Sequence, residues 1–239
     1  QRFIDISKRG LLPVPIRYYS AHTGRWGGDD KINLQNLPSR GADGKKLKRG
    51  IIAPEGHMLV EADSSQIEAR VLSWLAEENE LTQAFRNGDD VYKKMASVIY
   101  GIDEDKISKD ERFVGKTTIL GAGYGMGAIK FQNQLKQFDF DMQIDEARRV
   151  IKVYRDTYWR INKLWRCAQH YLQSAYNKED KPFGLHGVLK VEQGKIRLPS
   201  GLYLHYDGLT ATKTDMGFEY SYKTRKGMTC IYGGKIIEN

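Results

Sequence analysis

Arg112, Lys116, Leu120 and Tyr124 stand four residues apart. At about 100° per residue each step of four drifts only about 40°, so on a helix they form one slanted stripe. Two cations begin the stripe and two apolar groups end it. A triphosphate could lie on Arg112 and Lys116 while its base meets Leu120 and Tyr124. Gly121 and Gly125 would let a base pair approach the backbone closely. An amphipathic helix with solvated cations accounts for the same spacing. A second cluster is DSSQIEAR at 63–70. An acid at the tip of a strand can hold Mg²⁺, and the Ser64 carbonyl could add an oxygen ligand. Glu68 follows five residues later. Asp63 could equally serve as a helix cap beside Ser64 and Ser65.

Two other patterns fail. Gly115-Lys116-Thr117 looks like the end of G-x-x-x-x-G-K-[ST], but the first Gly would fall at Asp110, and the preceding KISKDERFV is too polar for a buried strand. G-x-G-x-x-G from Gly121 needs a glycine where Met126 stands.

The elements that must position these groups follow from pattern. Pro13 and Pro15 keep the start extended. Residues 21–50, rich in Gly, Asn, Asp and Lys and including the basic run at 45–49, read as loop. HMLVEAD at 57–63 reads as a short buried strand. A helix follows, capped by Ser64 or Ser65, with Ile67, Val71, Leu72 and Leu75 on one face. Residues 80–177 read almost entirely as helix. Val91, Met95, Val98 and Ile99 form one stripe, and Ser108 with Glu111 has capping-box spacing. Ala147, Val150, Ile151 and Tyr154 start a longer helix continued by Ile161, Leu164, Trp165, Ala168 and Leu172. Segments 186–192, 195–198, 202–206, 218–223 and 228–232 read as antiparallel strands. The order implies an α+β fold, a helical domain inserted in a sheet domain.

Composition adds bounds. The chain has 239 residues, a net charge of +8 and 26 aromatic residues. Basic groups and rings are the two ingredients of nucleic-acid binding. Cys167 and Cys230 form no CxxC, which excludes a disulfide scaffold and fits a reducing compartment. No apolar run is long enough for a membrane span and no signal peptide is visible, so the expected location is cytoplasmic.

Together the motifs resemble the family A DNA polymerases, typified by bacterial polymerase I, and especially phage members. INLQNLPSR at 32–40 is similar to N-L-Q-N-[IL]-P-x-R, and HTGR at 22–25 to the T-G-R before it. DSSQIEAR resembles motif A, D-Y-S-Q-I-E-L-R. FRNGDDVY at 85–92 resembles F-x-x-G-x-D-I-H. Arg112 through Gly125 resembles motif B, R-x-x-x-K-x-x-x-[FY]-G-x-x-Y-G. Beyond 130 the likeness is looser, including RLPSGLYLHYDGL and YGGKIIEN.

The resemblance implies a right-hand polymerase: a first part of the palm at 1–75, helical fingers at 76–185 and a return to the palm at 186–239. It implies Mg²⁺ as cofactor, two ions in the complete site, with Asp63 and the Ser64 carbonyl as ligands. Asp63, Arg112 and Lys116 would be catalytic, the two cations holding the triphosphate and neutralising the leaving group. Gln66, Glu68, Tyr92, Leu120 and Tyr124 would complete the nucleotide pocket, Glu68 as a steric gate against a ribose 2′-hydroxyl. Arg25, Gln35, Asn36, Arg40, Tyr124 and Gly125 would contact DNA. Primer-template DNA and dNTPs are the implied partners.

Ser64, Tyr92 and Leu120 depart from the family's Tyr, His and aromatic. The family's final His-Asp-Glu motif, with the second metal aspartate, has no match, and His205-Tyr206-Asp207 reads as structural. The chain is therefore expected to need a complementing C-terminal polymerase fragment. The turn at 235–239 is expected to leave Ile236 and Ile237 without a partner. A single-subunit RNA polymerase, which Glu68 argues against, and a non-catalytic DNA-binding fragment are the rival readings.

Overall fold

The computed structural model describes residues 2–8, 10–30, 33–37, 41–215, 217–224 and 227–238. They form two compact units, Gln1–Ser64 and Ser65–Asn239.

In the first unit, helix α1 (Arg2–Ser7) leads through an extended stretch to β1 (Ile16–Arg17), which pairs antiparallel with β2 (Gly27–Gly28). A 3-10 turn at Leu34–Asn36 and helix α2 (Gly41–Arg49) follow. The segment 21–50 is thus not all loop. Lys46, Leu47, Lys48 and Arg49 are good helix formers, and their cations fall in the last turn, where the helix dipole favours positive charge. The expected strand at 57–63 is absent, and the segment is exposed throughout. A strand needs a ladder for its N–H and C=O groups, and no described strand pairs with it.

In the second unit the chain runs through α3 (Ile67–Leu75), α4 (Asn79–Asn87), α5 (Val91–Tyr100), α6 (Lys109–Ala122), α7 (Ala128–Lys136), α8 (Ile144–Thr157) and α9 (Trp159–Asn177). Two antiparallel sheets follow, both in sequential order. The first holds β3 (Lys181–Phe183), β4 (Leu189–Glu192), β5 (Lys195–Arg197) and β6 (Tyr203–His205). The second holds β7 (Thr210–Thr214), β8 (Gly217–Thr224) and β9 (Gly227–Ile231). The α+β expectation holds, as helices followed by antiparallel sheets. Tyr206 is buried, and the Asp207 carbonyl accepts the Lys223 N–H at 2.7 Å, tying one sheet to the other.

Helix α9 spans two cores. Its first half, Ile161, Leu164 and Trp165, packs with Met95, Val114, Phe131, Val150 and Tyr154. Its second half, Ala168, Leu172 and Ala175, packs with Phe183, Val191, Ile196, Leu204, Tyr220 and Ile231. The helix expected to run on from 147 breaks at Tyr158 (φ −106°, ψ 57°). There the buried Glu78 carboxylate accepts the Arg160 N–H, supplying a cap that an unbroken helix could not use. Helix α10 (Gly233–Glu238) lies so close to α9 that a Cβ on Gly233 would sit 2.3 Å from the Trp165 carbonyl oxygen. Ile236 is buried by this approach and Ile237 packs at both cores, so neither lacks a partner. No described helix is long and apolar enough to cross a membrane.

Candidate nucleotide and nucleic-acid site

Helix α6 starts at the expected capping box. Ser108 Oγ accepts the Glu111 N–H at 3.2 Å, and the Glu111 carboxylate accepts the Ser108 N–H at 2.8 Å. One face is sunk against α5. A Cβ on Gly115 would stand 2.2 Å from the Tyr92 carbonyl oxygen, so only glycine permits this approach. Buried Thr117 and Thr118 donate their hydroxyls to the Phe113 and Val114 carbonyls of their own helix. The outer face carries the cations. Arg112 Nε donates to Asp90 Oδ2 at 2.7 Å, and its guanidinium lies over the Tyr92 ring, 5.3 Å from the centroid. Asp90 also caps α5, accepting the Tyr92 and Lys93 N–H groups. Burial works against its charge, but the Arg112 hydrogen bond and the two capping bonds outweigh it and hold its carboxyl below the ordinary range. Tyr92 itself is buried. Lys116 is exposed and has no ion-pair partner among the described residues.

The stripe is shorter than its spacing suggested. Arg112, Lys116 and Leu120 are helical, whereas Tyr124 lies in the turn after Ala122. That turn brings Tyr124 to α3: its hydroxyl donates to the Glu68 carboxylate, 56 positions away in sequence. Gly123 in that turn is held close, since a Cβ there would stand 2.8 Å from the Ile119 carbonyl oxygen and 3.1 Å from Leu72 Cδ2 of α3. Beside Gly121 the flexible end of the Met126 side chain stands where a Cβ would be, with Cε at 2.9 Å. Gly125, at φ +73°, has open space beside it. Leu120 is partly buried against the helical core.

Neither Ser64 nor Ser65 caps α3. Its cap residue is Gln66, left-handed at φ 57° and making no side-chain capping bond. The buried face is Ala69, Leu72 and Ser73, while Ile67 and Val71 are exposed. The helix turns toward the helical core the face that carries Ala69, Leu72 and Ala76, and only Leu72 of the expected face is buried there. Arg70 then does work that its sequence context did not announce. Its Nε donates to the Ser65 carbonyl at 2.9 Å, its NH1 group to the Phe85 carbonyl at 3.2 Å, and it stacks on the Phe85 ring. It clasps the turn before α3 to the end of α4. Asp90 was also missed, although an Asp directly before the apolar Val91 is a cap signature.

In the first unit, Arg25 closes the loop between β1 and β2. Its carbonyl accepts the Ser20 and Ala21 N–H groups at 3.0 and 3.1 Å. Gly24 within that loop is left-handed at φ +78°. The 3-10 turn exposes Gln35 and Asn36, and the Asn33 side chain caps it through the Gln35 N–H at 3.1 Å. Arg40 lies outside the described residues. Asp63 and Ser64 are exposed. Among the described residues no three His, Cys, Asp or Glu side chains gather to hold a metal ion. Asp63 and one carbonyl fall short of the ligands that a pair of Mg²⁺ ions requires.

These arrangements have known counterparts. Residues 13–180 match the family model described as DNA polymerase family A. The chain belongs to that family. It is 33% identical over 171 residues to DNA polymerase I of Deinococcus radiodurans and 36% identical over 152 residues to DNA polymerase I of Pseudomonas aeruginosa. These alignments cover 71% and 64% of this chain, but only 16% of each polymerase. The fold resembles the POL domain of Pol1 from M. smegmatis, solved in complex with DNA primer-template and dNTP. The TM-score is 0.62 at 24% identity, over 82% of this chain and 31% of that one. Family A polymerases use Mg²⁺.

Proposed function

We propose that this chain is the nucleotide-selecting part of a phage-type family A DNA polymerase that adds deoxynucleotides to a primer 3′-hydroxyl on a DNA template. In this reading residues 1–75 begin the palm, 76–185 are the fingers and 186–239 return to the palm. Arg112 and Lys116 take the triphosphate. Asp63 and the Ser64 carbonyl contribute ligands for Mg²⁺, and the further carboxylate comes from a complementing polymerase segment. Arg25, Gln35, Asn36, Arg40 and Gly125 contact DNA. Gln66, Tyr92 and Leu120 shape the nucleotide pocket, and Tyr124 bounds it on the template side.

The observation that carries this reading is the hydrogen bond from Tyr124 to Glu68. It fixes the Glu68 carboxylate at the end of the cation-bearing helix, where a sugar would lie if the triphosphate sat on Lys116 and Arg112. A held carboxylate excludes a 2′-hydroxyl better than a mobile one. The test compares ribo- and deoxynucleotide incorporation by the polymerase carrying Glu68→Ala. Relieving the clash should lower sugar discrimination roughly 10²-fold. Tyr124→Phe, which keeps the carboxylate but frees it, should lower it less. An unchanged ratio in Glu68→Ala removes Glu68 from the gate.

A further inference from the structure

The hairpin of the first unit carries an unexplained aromatic group. The register Ile16 to Gly28 and Arg17 to Gly27 sets Tyr18 opposite Trp26 at the next rung. Their rings meet edge to face, 5.8 Å between centroids and 81° between planes, and Tyr19 flanks Tyr18 at 6.0 Å. Yet Tyr18 is 68% exposed and Trp26 55%. Aromatic pairs normally contribute to stability by burial, so a pair left open to water marks a contact surface. The support beneath it is firm. Asp29 N–H donates to the Pro15 carbonyl at 3.0 Å, Arg17 grips the Asp29 carboxylate with two bonds at 2.8 and 3.2 Å, and the Arg25 carbonyl ties the loop.

The surroundings define the occupant. The Arg17 charge is spent on Asp29. Residues 1–64 hold eleven Lys and Arg against seven Asp and Glu. A partner with flat apolar faces and negative charge fits both features. We propose that Tyr18 and Trp26 form a stacking platform for an unpaired base of a bound DNA strand. This rests on the reading that the chain binds DNA, but adds a contact that discriminates unpaired from paired strands. A base inside a duplex has no free face to offer; an unpaired base does, and such stacking is tolerant of sequence.

The test measures binding of the purified chain to a fluorescent single-stranded oligonucleotide and to a blunt duplex of the same sequence. Trp26→Ala should weaken single-strand binding by roughly 5- to 150-fold, the range for losing one stacked base, and leave the duplex within about twofold. Tyr18→Ala should act in the same direction, and Trp26→Phe should retain most affinity. Thermal melts establish that these exposed substitutions leave the fold intact. Equal losses on both ligands, or none on either, overturn the platform. Arg25→Ala separates the two layers, since general DNA binding predicts a loss on both ligands. Wild-type chain that binds neither ligand ends both proposals; wild-type binding indifferent to Trp26→Ala ends this one alone. Tight binding of an uncharged aromatic peptide, with no single-strand preference, also overturns it.

Discussion

Helix α6 and the segment 51–63 each carry residues assigned to the chemistry, and they are built in opposite ways. Helix α6 is closed on itself. Its first turn is capped, its buried hydroxyls are satisfied within the helix, and Val114 and Ile119 are almost wholly buried. The apolar residues of the other segment stay in water: Met58 is 83% exposed, Leu59 63% and Val60 84%. Both stretches have apolar residues in ordered patterns. A helix satisfies its backbone within a few residues, so pattern suffices to form it. A strand satisfies its backbone only through a neighbour, so the same apolar content remains exposed until one is supplied.

The sharpest test of this contrast is functional. Lys116 stands on a finished surface with no ion-pair partner among the described residues, so removing its charge should cost chemistry and nothing else. Lys116→Ala should lower the single-turnover rate of the polymerase roughly 10²–10³-fold. The thermal midpoint should not move. A rate unchanged within about threefold would detach the α6 face from the triphosphate. Next comes packing. Gly115→Ala drives a Cβ into the Tyr92 carbonyl, which belongs to backbone and cannot swing away. Denaturant titration should register a loss of about 1–3 kcal/mol. A neutral result would mean that α5 and α6 are less tightly joined than 2.2 Å implies.

Asp90→Ala should be milder, about 1 kcal/mol of stability for the lost cap. Asp90→Asn keeps a capping oxygen while dropping the charge beside Arg112, so it should restore most of the stability but not the orientation of Arg112. The nucleotide KM, which reads that orientation, should rise in both variants. A KM unchanged in both would make the Asp90–Arg112 pair purely structural.

Glu78 gives a weaker, pH-dependent signature. Burial pushes its carboxyl up from the ordinary 4.5, the Arg160 N–H and guanidinium oppose this, and Glu80 adds to it. A native pKa above the unfolded one means the native state binds more protons between the two values. Stability should therefore fall as pH rises through that window, beginning near 4.5. Glu78→Gln should flatten this slope in urea titrations at several pH values. A slope that survives the substitution belongs to another group.

Legibility in the sequence followed the same division. The capping box, three of the four stripe residues (Val91, Met95 and Ile99, but not Val98, which is exposed), and the buried positions of α8 and α9 were readable because each is a local, periodic pattern. The break at Tyr158 was not, because the carboxylate that caps the chain there belongs to Glu78, 80 positions earlier. The role of Arg70 was not legible either, since its partners at Ser65 and Phe85 meet only after α3 and α4 fold together. The residue types of the candidate site were visible through spacing. The bond between Glu68 and Tyr124 was not, because no periodicity links positions 56 apart. The apolar run at 57–63 misled for the converse reason: a short apolar run describes what a buried strand needs, not whether a partner stands beside it.

The smallest expected effect is the most direct test of that last point. Val60→Ser and Met58→Ala should each change the stability of this chain by less than about 0.5 kcal/mol, as surface substitutions away from special features do. Apolar area contributes roughly 25 cal/mol per Å² only when it leaves water, and most of these two side chains never does. The matched control is Val114→Ala in α6, where the side chain is fully buried and the methyl groups leave a cavity. Equilibrium unfolding of the three variants side by side gives the comparison. A loss of 1 kcal/mol or more at Val60 or Met58, approaching that at Val114, would show that something covers 57–63 in solution. The exposed segment would then be a strand in use, and the contrast with α6 would fail.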